Sequence, residues 1–235
     1  MTAKHYLAMG LALVAFANSA SSATNPASTA YVDGKIATLR SELLSQFNLR
    51  FEGLTSSINQ LPLVTHQIGE VFQGGIIFYV DNSKQHGLMV SLNDVEPAIG
   101  WRNGEGGDRT VNARAFGIGA GETNTRLIVA EQTIDEQEGR FAALSAANYQ
   151  ISADGKTPCA EPITADSLCY GGWYLPSVQE LLLLHKNLKH ALSNIAYWSS
   201  TEASMTEAWL VDFSSGEVQV SEKSTSASVR AIHAF

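Results

Sequence analysis

Between Tyr31 and Leu61 the chain places apolar residues at Ile36, Leu39, Leu43, Phe47, Leu54, Ile58 and Leu61. With Arg50 filling one slot, the steps between them run 3, 4, 4, 3, 4, 4, 3. That spacing predicts one long helix with a single narrow apolar stripe. The repeat is 11 residues, from Ile36 to Phe47 to Ile58, a period that favours a straight or slightly right-handed bundle over a left-handed coiled coil. The helix should stop at Pro62, where the backbone loses a donor. It would span roughly 45 Å, and nothing else in the chain is long enough to cover its stripe. Two arrangements answer this: self-association into an oligomeric, coiled-coil-like stalk, or folding back on the rest of the chain. The stalk is the expectation, although Gly53 and Arg50 weaken the stripe.

Ahead of the stripe the order is a charged start with Lys4, an apolar run from Leu7 to Ala17, and the small residues Asn18 to Ala23. This is the pattern of a secretory signal peptide, with cleavage expected after Ala20 or Ala23. The run is too short to cross a bilayer, which takes about 20 apolar residues. No cysteine stands near the cleavage point, and no later stretch could insert in a membrane after cleavage. The expected organisation is a signal peptide over 1–23, a linker over 24–30, a helical stalk over 31–62 and a head over 63–235. The mature protein is expected to be exported, to the cell surface or medium, with the periplasm as the alternative.

Export makes an oxidising compartment the setting for Cys159 and Cys169, the two cysteines of the chain. A disulfide between them is the expectation, stabilising by roughly 3 kcal/mol in the chain-entropy picture. A catalytic thiol or a metal ligand is the alternative, but no CxxC and no suitably spaced His/Cys set accompanies them. The formal net charge of -8 offers no polybasic footprint, so nucleic acid is not expected as a partner.

In the head, residues 74–81 and 86–92 read as a hairpin around Asn82-Ser83-Lys84-Gln85. Residues 122–132 and 139–149 have helical spacing, as does 178–188 after Gly171-Gly172-Trp173-Tyr174-Leu175-Pro176. There Ser177 is the natural cap and Glu180 completes a capping box. Residues 208–213, 217–222 and 228–235 read as strands. Strands, then helices, then strands define an α+β domain.

Taken together, QGGIIFYVD (73–81), HGLMVSL (86–92), GIGAGETNTRLIV (117–129), GGWYLPSVQEL (171–181), YWSSTE (197–202), AWLVDFSSG (208–216) and VRAIHAF (229–235) resemble one bacterial family. It is typified by the C-terminal domain of the collagen-like adhesin Lcl, and the motifs appear in its order over nearly the whole head. The resemblance implies a C-type-lectin-like fold on a secreted or surface-exposed protein. Lcl itself looks like a trimeric adhesin of sulfated glycosaminoglycans, which makes a homotrimer through residues 31–61 the expected oligomer. It brings no established catalytic residues. The family commonly ends on two arginines, where this chain has Arg230 but His233, and an acidic chain sits badly with a sulfated ligand.

Few motifs carry chemistry. The glycines at 117, 119 and 121 lack the preceding strand and the Lys-Ser/Thr of a phosphate loop, and are read as a turn and helix cap. His185 and His190 diverge on a helix, and no loop has the spaced carboxylates of a calcium site. No metal, cofactor or catalytic set is expected. Trp173, Trp198 and Trp209 are expected in the core. Trp101 instead opens a polar, Gly-rich loop with Arg102, Asn103, Arg109 and Arg114, the best local basic cluster and the candidate ligand site. Its alternative is a solvated loop whose arginines pair with Glu105 and Asp108. The expected function is an adhesin-like head that binds a glycan or a host or matrix ligand. The alternatives are an envelope assembly module and, third, an enzyme.

Overall fold

The computed structural model describes residues 29–59, 63–134, 138–160, 162 and 167–235. The signal peptide expected over 1–23, residues 24–28 of the linker and residues 60–62 of the stalk lie outside the described residues. Two compact units divide after residue 62.

In the first unit, helix α1 runs Thr29–Asn59, starting two residues ahead of the expected stalk. Ile36, Leu39, Leu43, Phe47, Leu54 and Ile58 are each 57–65% exposed. Leu44 and Phe51, also exposed, widen the stripe along one side, each within one turn of Phe47. The rings of Phe47 and Phe51 stack with centroids 6.3 Å apart. Among the described residues, no helix is long and apolar enough to cross a membrane.

The second unit is α+β. It opens with β1 (Val71–Phe72), β2 (Gly75–Val80), β3 (Gly87–Ser91) and β4 (Glu96–Ile99). Then come α2 (Ala120–Gln132), α3 (Ala142–Asn148) and the short pair β5 (Ile151–Ser152) and β6 (Cys169–Tyr170). Helix α4 (Val178–Leu188) leads into β7 (Ala196–Glu202), β8 (Glu207–Asp212), β9 (Glu217–Glu222), β10 (Ala227–Val229) and β11 (Ile232–Ala234). One sheet has the order β1-β2-β3-β11 and a second β4-β10-β7-β8-β9. All pairings in both sheets are antiparallel except β10 with β7.

Two apolar clusters hold these layers together. One gathers Phe78, Leu88, Val90, Val178, Leu181, Leu184, Tyr197, Val211 and Ile232, so α4 is packed against residues of both sheets. The other joins α2 and α3 to Trp101, Trp173 and Trp198. Trp173 and Trp198 are core residues, and Trp209 is partly buried against the first cluster. Cys159 and Cys169 are joined in a disulfide, with Cα atoms 5.5 Å apart.

The start of α4 explains the residues in front of it. Ser177 Oγ accepts from the Glu180 amide at 3.3 Å, and Glu180 Oε2 accepts from the Ser177 amide at 2.7 Å. This is the capping box. Glu180 Oε1 also accepts from the Gly119 amide at 2.8 Å, just ahead of α2. One fully buried carboxylate therefore satisfies backbone donors at the starts of two helices. Burial raises its pKa, opposed by hydrogen bonds from Ser177, Gly119 and Gly121. The cap at α2 comes from Glu180 and from Gly119 in the left-handed region (φ 83°), with no side-chain cap at the N-cap residue itself.

One strand is added to those read from the sequence and one reading is corrected. Residues 196–202 form β7, a buried central strand. Its polar side chains do not forbid this because they are bonded inside: Ser199 Oγ donates to the Trp209 carbonyl (2.7 Å) and Thr201 Oγ1 to the Ala115 carbonyl (3.2 Å). Residues 228–235 are not one strand but belong to β10 and β11, in different sheets. The chain crosses between the sheets at Arg230-Ala231. Arg230 is buried there, with Nη1 donating to the Ser91 carbonyl (2.7 Å) and Nε 2.6 Å from Asp94 Oδ1. Tyr197 Oη donates to the same Asp94 oxygen at 3.0 Å.

Candidate functional site

The loop from Trp101 to Arg114 is organised by a residue far along the chain. Lys223 has no exposed surface. Its ammonium donates to the Arg109 carbonyl (2.9 Å), Glu202 Oε1 (2.7 Å) and the Met205 carbonyl (2.8 Å), which occupies all three donors. It also lies 4.7 Å from the centre of the Trp101 ring, in cation–π range. Burial lowers the Lys223 pKa, and Glu202 opposes that shift. The Glu202 carboxylate, itself buried, accepts from the amides of Val111 (2.7 Å) and Asn112 (2.8 Å). One buried ion pair thus fixes both the middle and the far end of the loop.

Trp101 was expected to offer its ring at the surface. Instead it is 0% exposed, with its indole N–H donating to the Ser199 carbonyl at 2.8 Å. Asn103 is likewise buried, donating from Nδ2 to the Gln132 carbonyl at 3.0 Å and from its amide to Gln132 Oε1 at 2.8 Å. Both are anchors, and neither ring nor amide is available for stacking on a sugar. The arginines are spoken for as well. Arg102 Nε lies 3.5 Å from Asp108, Arg109 Nη1 lies 3.7 Å from Glu131, and Arg114 Nε lies 3.7 Å from Glu202. Of the three, Arg114 has the most exposed side chain. The five candidate residues therefore divide into two buried anchors and three acid-paired arginines.

A different surface gathers polar groups around a groove of about 480 Å³. Glu96 on β4 contributes Oε1, which accepts from Arg140 Nη2 (2.7 Å) and Ser145 Oγ (3.1 Å). Asn148 and Gln150 line the same groove with exposed side chains. Tyr149 between them is partly buried, its ring edge-on to Trp173 at 5.3 Å. Burial raises the Tyr149 pKa, with Arg230 acting the other way, so the hydroxyl is protonated and can donate. Carboxylate, guanidinium, two amides and a tyrosine give donors and acceptors in planar groups beside an aromatic ring. No spacing rule finds this set, because β4, the segment before α3 and the end of α3 meet only in the fold. The polar-aromatic run Asn148-Tyr149-Gln150 was the local hint. Among the described residues, no group of three or more His, Cys, Asp and Glu could hold a metal ion.

Two sheets seated on helices, with paired polar loops and open grooves, define an α+β surface-groove domain. Residues 124–233, all within the second unit, match the Lcl C-terminal domain family. Over 71% of its length the chain is similar to the crystal structure of a fimbrial protein from Bacteroides ovatus ATCC 8483, at 14% identity and a TM-score of 0.44. It spans 48% of that protein. No curated protein matches the chain.

Proposed function

We propose that this is an exported, adhesin-like binding protein, not an enzyme, whose C-type-lectin-like head takes a glycan in the groove of Glu96, Arg140, Asn148, Tyr149 and Gln150. The observation that carries the reading is that groove, on a unit whose residues 124–233 match the Lcl C-terminal domain family. Sugars are held by planar polar groups working with an aromatic face, on sites that are open to solvent. The chain's charge of -8 turns the ligand class away from the sulfated glycosaminoglycans of Lcl toward neutral glycans. Helix α1 is the self-association element, a homotrimeric coiled-coil-like stalk, and several weak head sites on one stalk act together as avidity.

The test is a panel of neutral and sulfated glycans and extracellular matrix proteins, probed with the full mature protein. Binding of a neutral glycan is expected, weakened about tenfold or more by Arg140→Ala, since a hydrogen bond to a charged group contributes about 1.5–3 kcal/mol, and about two- to tenfold by Gln150→Ala, whose neutral hydrogen bond contributes about 0.5–1.5 kcal/mol. Retention by matrix proteins alone, or no retention at all, would overturn the glycan reading.

A further inference from the structure

A second groove, of about 340 Å³, lies between the β2–β3 hairpin, the start of α2 and the last strand. Its walls are largely apolar, with Tyr79 and Phe235 among them, and Asp81, Glu122 and the imidazole of His86 line it as well. Tyr174 also lines it. That ring is 96% buried, being 4% exposed, and is packed in the cluster around α4. Its hydroxyl nevertheless has no hydrogen-bond partner among the described residues, while every indole N–H in the core has one. The hydroxyl is not sealed in either: it is absent from the fully enclosed polar atoms that lack a partner. A buried tyrosine with an unsatisfied, reachable hydroxyl is a polar group held ready for something outside the fold.

The carboxylates set what that something is. Asp81 accepts from Ser83 Oγ at 2.6 Å, and that bond holds its pKa below the ordinary carboxylate value, so it is an anion. Glu122 is engaged by Arg126 one turn along α2, but both side chains of that pair are half or more exposed, and pairs of this kind are weak and readily exchanged. Glu122 and Tyr174 line the same groove. A largely apolar groove lined by two carboxylates and two tyrosines matches an apolar stem with a cationic head. A sulfated or phosphorylated ligand would meet repulsion from the two carboxylates here.

We infer that this groove is a docking site for a lysine or arginine side chain of a partner protein, held by Asp81, Glu122 and the Tyr174 hydroxyl. The site is separate from the glycan groove and does not depend on it. The partner is recognised by an exposed basic residue, in keeping with the acidic charge of the chain.

The experiment uses the full mature chain, isotope-labelled, titrated with the amides of N-acetyl-arginine and N-acetyl-lysine and followed by NMR. The amide of N-acetyl-norleucine and a methyl glucoside are the matched probes without charge. Saturable shifts are expected at Gly87, Glu122 and Phe235 with the cationic amides and not with the others. Glu122→Gln and Asp81→Asn, both at solvent-facing carboxylates, should each weaken binding several-fold, and together about tenfold or more. Tyr174→Phe keeps the packed ring and should weaken binding without changing the spectrum of the core. Equal shifts from norleucine amide mean an apolar groove only, and shifts from the glucoside mean a sugar site. Either result, or no shift from any probe, overturns the inference, as does unchanged affinity in the doubly substituted protein.

Discussion

A methyl group added at Gly121 would lie 2.8 Å from the Leu175 carbonyl oxygen and collide with the Glu180 carboxylate. Both neighbours are fixed, one by backbone and the other by the caps of two helices. Gly121→Ala is therefore expected to cost about 1–3 kcal/mol as overpacking, read as a lowered Tm. Wild-type stability in that variant would show that α2 can slide away from Glu180. His233 makes a second prediction at this scale. Its ring is 5.6 Å from that of Trp173 and its Nδ1 is enclosed without a partner. Burial lowers its pKa below the ordinary value of about 6.5. As pH falls through that value the unfolded chain takes up a proton before the folded one does, so stability drops on acidification. His233→Gln should flatten the dependence of Tm on pH between about pH 5 and 7. A variant as acid-sensitive as wild type would place the effect elsewhere.

At the scale of elements, the Trp101–Arg114 loop depends on Lys223 and Glu202. Removing one partner of a buried pair leaves the other charge uncompensated, so Lys223→Met should cost about 3–5 kcal/mol. Hydrogen exchange should accelerate at Val111 and Asn112, whose amides bond Glu202, while α4 keeps its protection relative to global stability. Uniform loss of protection would mean the loop is not a separate unit. The same loop shows where sequence stops being legible. The capping box of α4 was readable because its four residues are local. The hairpin of β2 and β3 was readable because its turn lies between two apolar runs. The burial of Trp101 was not, because the cation over its ring comes from a position more than a hundred residues later. Strand β7 was hidden for a related reason. Ser199, Ser200, Thr201 and Glu202 look like surface, and only distant partners on β8, on α2, on the loop and its connector and at Lys223 make them interior. The Glu96–Arg140 groove has the same long-range origin.

At the scale of the whole molecule, the exposed face of α1 is the feature that the proposed stalk has to cover. Phe47→Asp puts a charge in the middle of the stripe, beside Phe51 and Leu43. The mature protein is expected to be oligomeric by light scattering and the Phe47→Asp variant monomeric, with the head still folded. A wild-type monomer would remove self-association, and with it avidity, from the proposed function. The crossing at Arg230-Ala231 bears on how the head is made. Strand β4 has β10 as its partner, β10 also bonds β7, and β11 completes the other sheet on β3. Both sheets therefore wait for residues 227–234, more than a hundred positions after β3 and β4 have left the ribosome. Pairings that close such long loops are slow to form. Until then β3 and β4 each keep an unpaired edge, the kind of exposed pairing surface that makes an incomplete chain prone to misassembly.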